Sequence, residues 1–238
     1  MPVKEILVRE LLKPRDIDLL TSTGWRKNWI DNQRDILGWS DGYEHLALYN
    51  AARIGLGDLI EIGSFLGRST VHLAAGLKVS GREGTLHAID PFFDPFVVSY
   101  DGVPANANPP WLQSFNPRNG TIIKDTKNIF LANIKKCSVD DRISVHHITA
   151  YETHNFFQND SVGVLFIDGD HRYENVKQDF VFYFPKVIHG GLIIFHDVVQ
   201  SHSGVMQFVQ ELGEDKHNGL EEITNISSLG IYRKIVGA

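Results

Sequence analysis

Beyond residue 57, short apolar runs alternate along the chain with longer stretches of helical periodicity. The apolar runs predict strands at 59–62, 85–90, 143–148, 162–168 and 191–197. The stretches between and after them predict helices at 67–79, 121–136, 173–188 and 204–212. Two further strands are predicted near 220–226 and 229–236.

Three of the predicted strands, 59–62, 162–168 and 191–197, are continuously apolar instead of alternating between apolar and polar residues. Burial on both faces of a sheet explains such runs, and parallel sheets flanked by helices are buried in this way. The pattern therefore predicts an α/β fold with a doubly wound, mostly parallel sheet. Ligands of such sheets bind beyond the carboxyl ends of the strands.

The N-terminal part of the chain has a different character. Its amphipathic helical stretches are interrupted at Pro14, Gly24 and Gly38, and a helix of good helix formers is predicted at 43–53. We expect an N-terminal helical extension at 1–42 and a main domain at 43–238.

Residues 91–120 are rich in proline, asparagine and aromatic side chains and show no clear period. A segment of about 30 residues without secondary structure in a compact domain is usually functional or disordered. We expect a lid over the substrate; packing against the domain or an oligomer contact is the alternative.

Composition narrows the class of protein. Apolar residues make up 42% of the chain, and 23 basic residues face 29 acidic ones, for a net charge of −6. This balance gives the whole protein no basic character that would point to a nucleic-acid partner. The single cysteine, Cys137, and the lack of a signal-peptide pattern favour a cytoplasmic location. No apolar run approaches the ~18 residues of a membrane span, so no membrane partner is expected.

Acidic residues and glycines stand at the ends of the first two strands. Glu61 is followed by Gly63 and Gly67, a G-x-x-x-G loop in which Phe65 occupies the middle glycine position of the dinucleotide fingerprint. That side chain argues against a pyrophosphate ligand and hence against an NAD-dependent oxidoreductase. Asp90 ends the second strand, where a carboxylate can bind both hydroxyls of a ribose. A tight turn and a helix-capping aspartate are the structural alternatives.

Four segments of the chain together carry a family resemblance. They read E-I-G-x-x-x-G-x-S-T from Glu61, L-H-A-I-D up to Asp90, V-L-F-I-D-G-D-H-x-Y-E around Asp168, and G-G-L-I-I-F-H-D-V up to Val198. The region 58–200 resembles the class I S-adenosylmethionine (SAM) dependent methyltransferases, and within them the small-molecule O-methyltransferases of macrocin and catechol type. The resemblance implies a Rossmann-like, doubly wound, mostly parallel seven-stranded sheet with an antiparallel final strand, preceded here by N-terminal helices.

The resemblance also implies a cofactor site. The methionine end of SAM would be held by the first loop, the ribose by Asp90 and the adenine by residues after the third strand. The residues implied are Glu61, Gly63, Ser64, Gly67, Ser69, Asp90, Thr149 and Ala150.

A second cluster follows the fourth and fifth strands. Asp168, Asp170 and His171 end one strand, and His196 and Asp197 end the other. Carboxylate oxygens suit Mg²⁺ and similar ions, and imidazoles extend the choice to transition metals. The resemblance implies Mg²⁺ or another divalent metal at Asp168 and Asp197. The catechol-type enzymes take their third ligand from the following position, which is Val198 here, so a neighbouring side chain or water would complete the set.

His171 stands three residues after Asp168, where the related enzymes keep a catalytic base. A hydroxyl is a weak nucleophile until its proton is removed, and histidine titrates near neutrality. The predicted catalytic residues are therefore His171, as general base, and Asp168. The alternative for His171 is a structural hydrogen bond to a neighbouring aspartate.

The function expected from these features is SAM-dependent O-methylation of a small hydroxylated molecule, such as a sugar or natural product. The alternative is a non-catalytic SAM or nucleoside binder, or a scaffold with the same fold. A small-molecule acceptor is the expected partner, and homo-oligomer formation is left open.

Overall fold

The computed structural model describes residues 2–14, 23–93, 96–98, 121–215 and 217–236. The helices are α1 (Val3–Leu11), α2 (Gly24–Asn32), α3 (Gly42–Ile54), α4 (Arg68–Ser80), α5 (Thr126–Lys136), α6 (Ala150–Thr153), α7 (Tyr173–Tyr183) and α8 (Ser203–Glu214). The strands are β1 (Asp58–Ile62), β2 (Leu86–Ile89), β3 (Phe96–Val98), β4 (Thr121–Ile123), β5 (Ile143–His146), β6 (Val162–Ile167), β7 (Val187–Phe195), β8 (Leu220–Ile226) and β9 (Leu229–Lys234). Most of the expected lid at 91–120 lies outside the described residues.

A seven-stranded sheet forms the centre of the fold, in the order β5-β2-β1-β6-β7-β9-β8. The first five strands of this order are parallel to one another. The strand β9 is antiparallel to both β7 and β8. The predicted fold class is confirmed, including the antiparallel final strand. A separate antiparallel pair joins β3 and β4.

The strand order reverses beside β1. From β1 the chain adds β2 and then β5 on one side, and it continues with β6 and β7 on the other side. The gap between the loops that follow β1 and β6 is therefore a topological switch point, where ligands of such sheets bind.

Both faces of the sheet are buried, which explains the apolar runs. Leu59 of β1 packs into a core with Ala47 of α3 and Leu73 of α4. Its neighbour Ile60 faces the opposite way and packs with Phe180 of α7. Since successive side chains of a strand point to opposite faces, a strand between two helical layers is apolar along most of its length; the buried Glu61 is the exception in β1.

The N-terminal helices contribute to one of these two cores. Leu11 of α1 and Trp29 of α2 are fully or almost fully buried in the cluster that contains Leu59. The Asn50 side chain of α3 donates hydrogen bonds to the carbonyls of Leu11 and Lys13. The domain boundary at 42 stays a prediction, and α3 begins at that point with Asp41 as its N-cap.

Several predicted elements differ in their bounds. The strand expected over 191–197 is β7, which already begins at Val187 and ends at Phe195. The helix expected over 121–136 begins only at Thr126, because Thr121–Ile123 pairs with β3 and Asp125 takes a left-handed conformation. The helix expected over 173–188 ends at Tyr183; Pro185 follows within a short 3₁₀ turn, and proline does not continue a helix. The strand expected over 143–148 ends at His146.

No helix within the described part of the chain is long and apolar enough to span a bilayer.

Candidate active site at the carboxyl ends of the strands

The loop between β1 and α4 has a shape that depends on glycine. Gly63 and Gly67 have φ angles of +87° and +92°, in the region that side chains with a Cβ rarely adopt. Gly67 is the N-cap residue of α4, so the loop ends at the free N–H groups of a helix N-terminus. Such a terminus favours a carboxylate or another negative group.

Glu61 holds this loop from inside. Its side chain is fully buried and accepts hydrogen bonds from the hydroxyls of Ser64 (2.8 Å), Ser69 (2.6 Å) and Thr70 (2.5 Å). Burial raises the pKa of Glu61 to about 7, although the three hydroxyls oppose that shift. In this geometry Glu61 ties both ends of the loop to β1, and its direct contact with a ligand stays a prediction.

Asp90 holds the same loop from the neighbouring strand. One carboxylate oxygen accepts the backbone N–H of Phe65 at 2.8 Å, and the other accepts that of Phe92 at 2.6 Å. Burial raises the pKa of Asp90 against these hydrogen bonds. The structure therefore brings together the two acidic residues predicted for the cofactor, at the ends of adjacent strands.

Thr149 and Ala150 follow β5, which is the next strand beyond β2. Thr149 caps α6: its hydroxyl oxygen accepts the backbone N–H of Glu152, and the Glu152 carboxylate accepts the backbone N–H of Thr149. The Ala150 carbonyl accepts a hydrogen bond from the buried Tyr183 hydroxyl at 2.9 Å. The predicted adenine-side residues are thus held in a fixed turn at the same edge of the sheet as the glycine loop and Asp90.

Asp168 and Asp197 meet across the ends of β6 and β7, as predicted, and His196 lies between them. The His196 Nδ1 atom is 3.0 Å from Asp168 Oδ1 and 3.4 Å from Asp197 Oδ2. The ring is almost completely buried, with 3% of the side chain exposed. Burial disfavours the charged ring, but the surrounding carboxylates outweigh it and raise the pKa of His196.

His171 lies on the solvent side of this cluster. Its Nε2 atom is 3.1 Å from Asp197 Oδ2 and 3.9 Å from Asp168 Oδ1. Burial acts against the charged form, while the two aspartates favour it and raise the pKa of His171. Asp170 does not join the cluster, because its carboxylate pairs with the Arg172 guanidinium.

Two residues of the cluster were missed by the sequence analysis. His202, in the turn before α8, places its Nδ1 atom 3.6 Å from Asp197 Oδ1.

The second residue is Glu44 of α3. Its Oε2 atom lies 3.5 Å from His196 Nε2, and its Oε1 atom accepts hydrogen bonds from the backbone N–H and the hydroxyl of Ser228. Burial disfavours the charged carboxylate, but the contacts with His196, Ser228 and the Asp41 backbone outweigh it and lower the pKa of Glu44 to about 2. The D-x-x-E pattern at Asp41 forms the capping box of α3, but it is a local signal and does not indicate the contact of Glu44 with His196.

Among the described residues, two groups of side chains have donor atoms within 4.8 Å of one another, the spacing that a metal ion requires: Asp168–His196–Asp197 and His171–Asp197–His202. Both contain imidazole, whereas Mg²⁺ is held mainly by oxygen ligands. The ring nitrogen of His196 already contacts both carboxylates of the predicted pair. As placed, these residues do not form an oxygen site for Mg²⁺, and a metal at Asp168 and Asp197 stays a prediction.

Solved structures share this fold. The chain is 17% identical to the O-methyltransferase NovP, with a TM-score of 0.63 and 98% of each chain covered. It is 16% identical to an O-methyltransferase from Bacillus cereus solved with SAH, with a TM-score of 0.58 and 98% and 97% of the two chains covered. It is 15% identical to TomG, an O-methyltransferase from Streptomyces achromogenes solved with SAM, with a TM-score of 0.57 and 99% and 100% covered. At these identities the likeness establishes the fold.

The comparison of sequences is more specific. Curated protein sequences give no match to this chain. Residues 60–198 match the family model described as a methyltransferase domain. The matched region is more than half of the chain and runs from β1, through the glycine loop, to the residue after Asp197. The chain belongs to this methyltransferase family and is an enzyme.

Proposed function

We propose that this methyltransferase transfers the methyl group of SAM to a hydroxyl of a small hydroxylated molecule, a sugar or natural product. One observation carries the proposal: the glycine loop with Asp90 and the His171–Asp197 pair lie at one edge of the sheet, on either side of its switch point. A cofactor bound by the glycine loop and Asp90 would therefore lie next to His171, the proposed base. The solved relatives that bind SAM or SAH support the choice of cofactor.

Asp90 has the acceptor capacity that a ribose requires. A carboxylate offers about four lone-pair sites, and backbone N–H groups of Ser64, Phe65 and Phe92 use only part of them. The remaining lone pairs are available to two adjacent hydroxyls. The N-terminus of α4 lies beside the loop and suits the carboxylate of the methionine end. Thr149 and Ala150 lie on the adenine side.

Glu61 contributes by fixing the loop. Three hydroxyl groups on its carboxylate lock the positions of Ser64 and Ser69 before any ligand arrives. A site formed in advance loses less conformational freedom on binding. We assign Glu61 this positioning role toward SAM.

Bound SAM supplies a methyl group on a sulfonium; the acceptor oxygen displaces the sulfide from this carbon, and the C–S electron pair leaves on sulfur. In this chain His171 accepts the proton of the acceptor hydroxyl at Nδ1, because Nε2 carries the proton that faces the two aspartates. Asp197, at 3.1 Å, and Asp168, at 3.9 Å, stabilise the imidazolium that forms. His196 holds both aspartates in place through Nδ1.

The function is tested by binding and by turnover. Calorimetry should show binding of SAM and of S-adenosylhomocysteine but no binding of NAD, because Phe65 fills the place of the middle glycine. Conversion of SAM to S-adenosylhomocysteine should depend on a member of a panel of sugars and phenolic or polyketide natural products. Tight SAM binding without turnover on a broad panel would favour the alternative of a non-catalytic SAM binder.

A further inference from the structure

We propose that His171, Asp197 and His202 form a binding site for a divalent transition-metal ion such as Zn²⁺, and that the bound ion inhibits methyl transfer. This site differs from the predicted metal pair Asp168 and Asp197, because it lies on the solvent side of Asp197 and takes two of its three ligands from imidazoles. The inhibitory effect rests on the proposed function, whereas the site itself does not.

The spacing of the donor atoms fits a tetrahedral ion. His171 Nε2 is 3.1 Å from Asp197 Oδ2, and His202 Nδ1 is 3.6 Å from Asp197 Oδ1. Zinc bonds to nitrogen and oxygen are about 2.0–2.2 Å long, so tetrahedral donors lie roughly 3.4 Å apart. The two rings are nearly perpendicular, with centroids 4.5 Å apart, and flank the two oxygens of one carboxylate. Small side-chain rotations bring all three groups onto one ion.

The site is open to solvent on one side and supported on the other. The side chains of His171 and His202 are 38% and 34% exposed, so an ion can reach both nitrogens. Behind them, the buried His196 ring contacts Asp197 Oδ2 at 3.4 Å. Metal-binding carboxylates are commonly oriented by such a partner in the next layer of residues. The inner group Asp168–His196–Asp197 lacks this access, since His196 is almost fully buried.

The backbone at Asp197 takes an unusual conformation. Asp197 has a φ of +58°, a left-handed conformation that costs a residue with a Cβ of the order of 1 kcal/mol or more. Such conformations concentrate at binding and catalytic sites. The carboxylate of Asp197, two residues after the end of β7, contacts both His171 and His202.

The ligand chemistry selects the ion. Two imidazoles and one carboxylate suit Zn²⁺, Co²⁺ and other transition ions, whereas Mg²⁺ prefers oxygen ligands and retains its water. An ion on Nε2 of His171 binds the neutral ring that carries its proton on Nδ1, so the nitrogen that would accept the proton of the acceptor hydroxyl is already protonated. Metal binding and general-base catalysis by His171 therefore exclude each other.

The experiment measures metal binding first, without SAM or acceptor. Tag-free protein is stripped with a chelator and titrated with Zn²⁺, Co²⁺ and Mg²⁺, with metal content and the Co²⁺ absorption spectrum as readouts. We expect one Zn²⁺ or Co²⁺ per chain, no comparable Mg²⁺ binding, and a tetrahedral Co²⁺ spectrum. His202→Ala should weaken Zn²⁺ binding by at least about 100-fold, because even outer partners of metal ligands are worth 10–100-fold.

His189→Ala is the matched control. His189 is exposed in β7, near the end of the strand opposite to Asp197, so its loss should leave Zn²⁺ binding unchanged. Equal Zn²⁺ binding by the wild type and by folded His202→Ala would overturn the site. Loss of binding in both histidine variants would overturn it as well, since it would indicate scattered surface sites.

The effect of Zn²⁺ on methyl transfer is measured in a separate experiment. Zn²⁺ should inhibit SAM turnover by the wild type, a chelator should restore it, and His202→Ala should resist the inhibition. Activation by Zn²⁺ would overturn the inhibitory role. Specific Zn²⁺ binding in a protein that turns over no acceptor would leave the metal site standing and contradict only the proposed methyl transfer.

Discussion

Gly63, just after β1, lies so close to Asp168, just after β6, that a Cβ on Gly63 would stand 2.0 Å from the Asp168 carbonyl oxygen. The same junction is joined by a hydrogen bond from the Asp168 N–H to the Ile62 carbonyl. The loop predicted to bind the cofactor and the strand end predicted to carry a catalytic residue are therefore in direct backbone contact at the switch point, and only glycine allows this approach.

Replacement of this glycine should separate the two segments. Gly63→Ala should lower the free energy of unfolding by about 2–4 kcal/mol, because the Cβ meets backbone and the φ of +87° is strained. Gly213→Ala, in α8 with no atom near the new Cβ, should instead stabilise the protein by about 0.5–1 kcal/mol. Denaturant unfolding compares both with the wild type. Equal stability of the two variants would contradict the close approach.

Asp90→Ala tests the ribose site. A hydrogen bond to a charged group contributes about 1.5–3 kcal/mol, so SAM affinity should fall by roughly 10–150-fold. Calorimetry measures the affinity, and Asp31→Ala, on the exposed face of α2, is the control. A folded Asp90→Ala protein with wild-type SAM affinity would show that Asp90 only supports the loop.

His171→Ala tests the general base. The single-turnover rate with an identified acceptor should fall by about 10²–10⁴-fold, because proton removal by a positioned side chain contributes this much. SAM affinity should change little, since His171 lies outside the cofactor loop. His217→Ala, with an exposed ring before β8, is the control and should keep the wild-type rate. A full rate in His171→Ala would leave this residue with a structural role.

Glu61 should make stability depend on pH. Its pKa rises from 4.5 in the unfolded chain to about 7 in the folded protein, so the folded state retains a proton that the unfolded state releases. This contribution to stability is complete below pH 4.5 and is lost as pH rises through 7, for a total of roughly 3 kcal/mol.

Glu61→Gln removes the titrating group while keeping its size. The free energy of unfolding should then change less between pH 4.5 and 7, and the variant should be the more stable protein at pH 8. Urea unfolding at a series of pH values measures this, with the exposed Glu83→Gln as control. A pH profile of Glu61→Gln that superimposes on the wild type would contradict a buried, protonated Glu61.

Glu44→Ala tests the buried contact of α3 with the cluster. Removing one partner of a buried charged pair leaves the other uncompensated and costs about 3–5 kcal/mol. Ser228→Ala removes one hydrogen bond to the same carboxylate but keeps the 3.5 Å contact with His196, and it should cost only about 1 kcal/mol. Similar losses in the two variants, measured by denaturant unfolding, would show that His196 does not depend on Glu44.

Much of the fold could be predicted because its signals are local. The apolar runs of β1, β6 and β7 indicated strands buried on both faces, and all three occupy the centre of the sheet. The bounds of α5 and α7 could not be predicted from periodicity alone. Thr121–Ile123 pairs with the distant β3, and the helical pattern of apolar residues continued past the true end of α7 at Tyr183.

The sequence by itself determined that Asp168 and Asp197 lie at one edge of the sheet, because neighbouring parallel strands end on the same side. It also determined a glycine-dependent turn before α4, since the G-x-x-x-G spacing needs no distant partner. Only the tertiary structure decided that His202 faces Asp197 and that Glu44 reaches His196. Those contacts arise from the docking of the α8 and α3 segments against the sheet, and a contact between residues far apart in the chain leaves no periodic trace in the sequence.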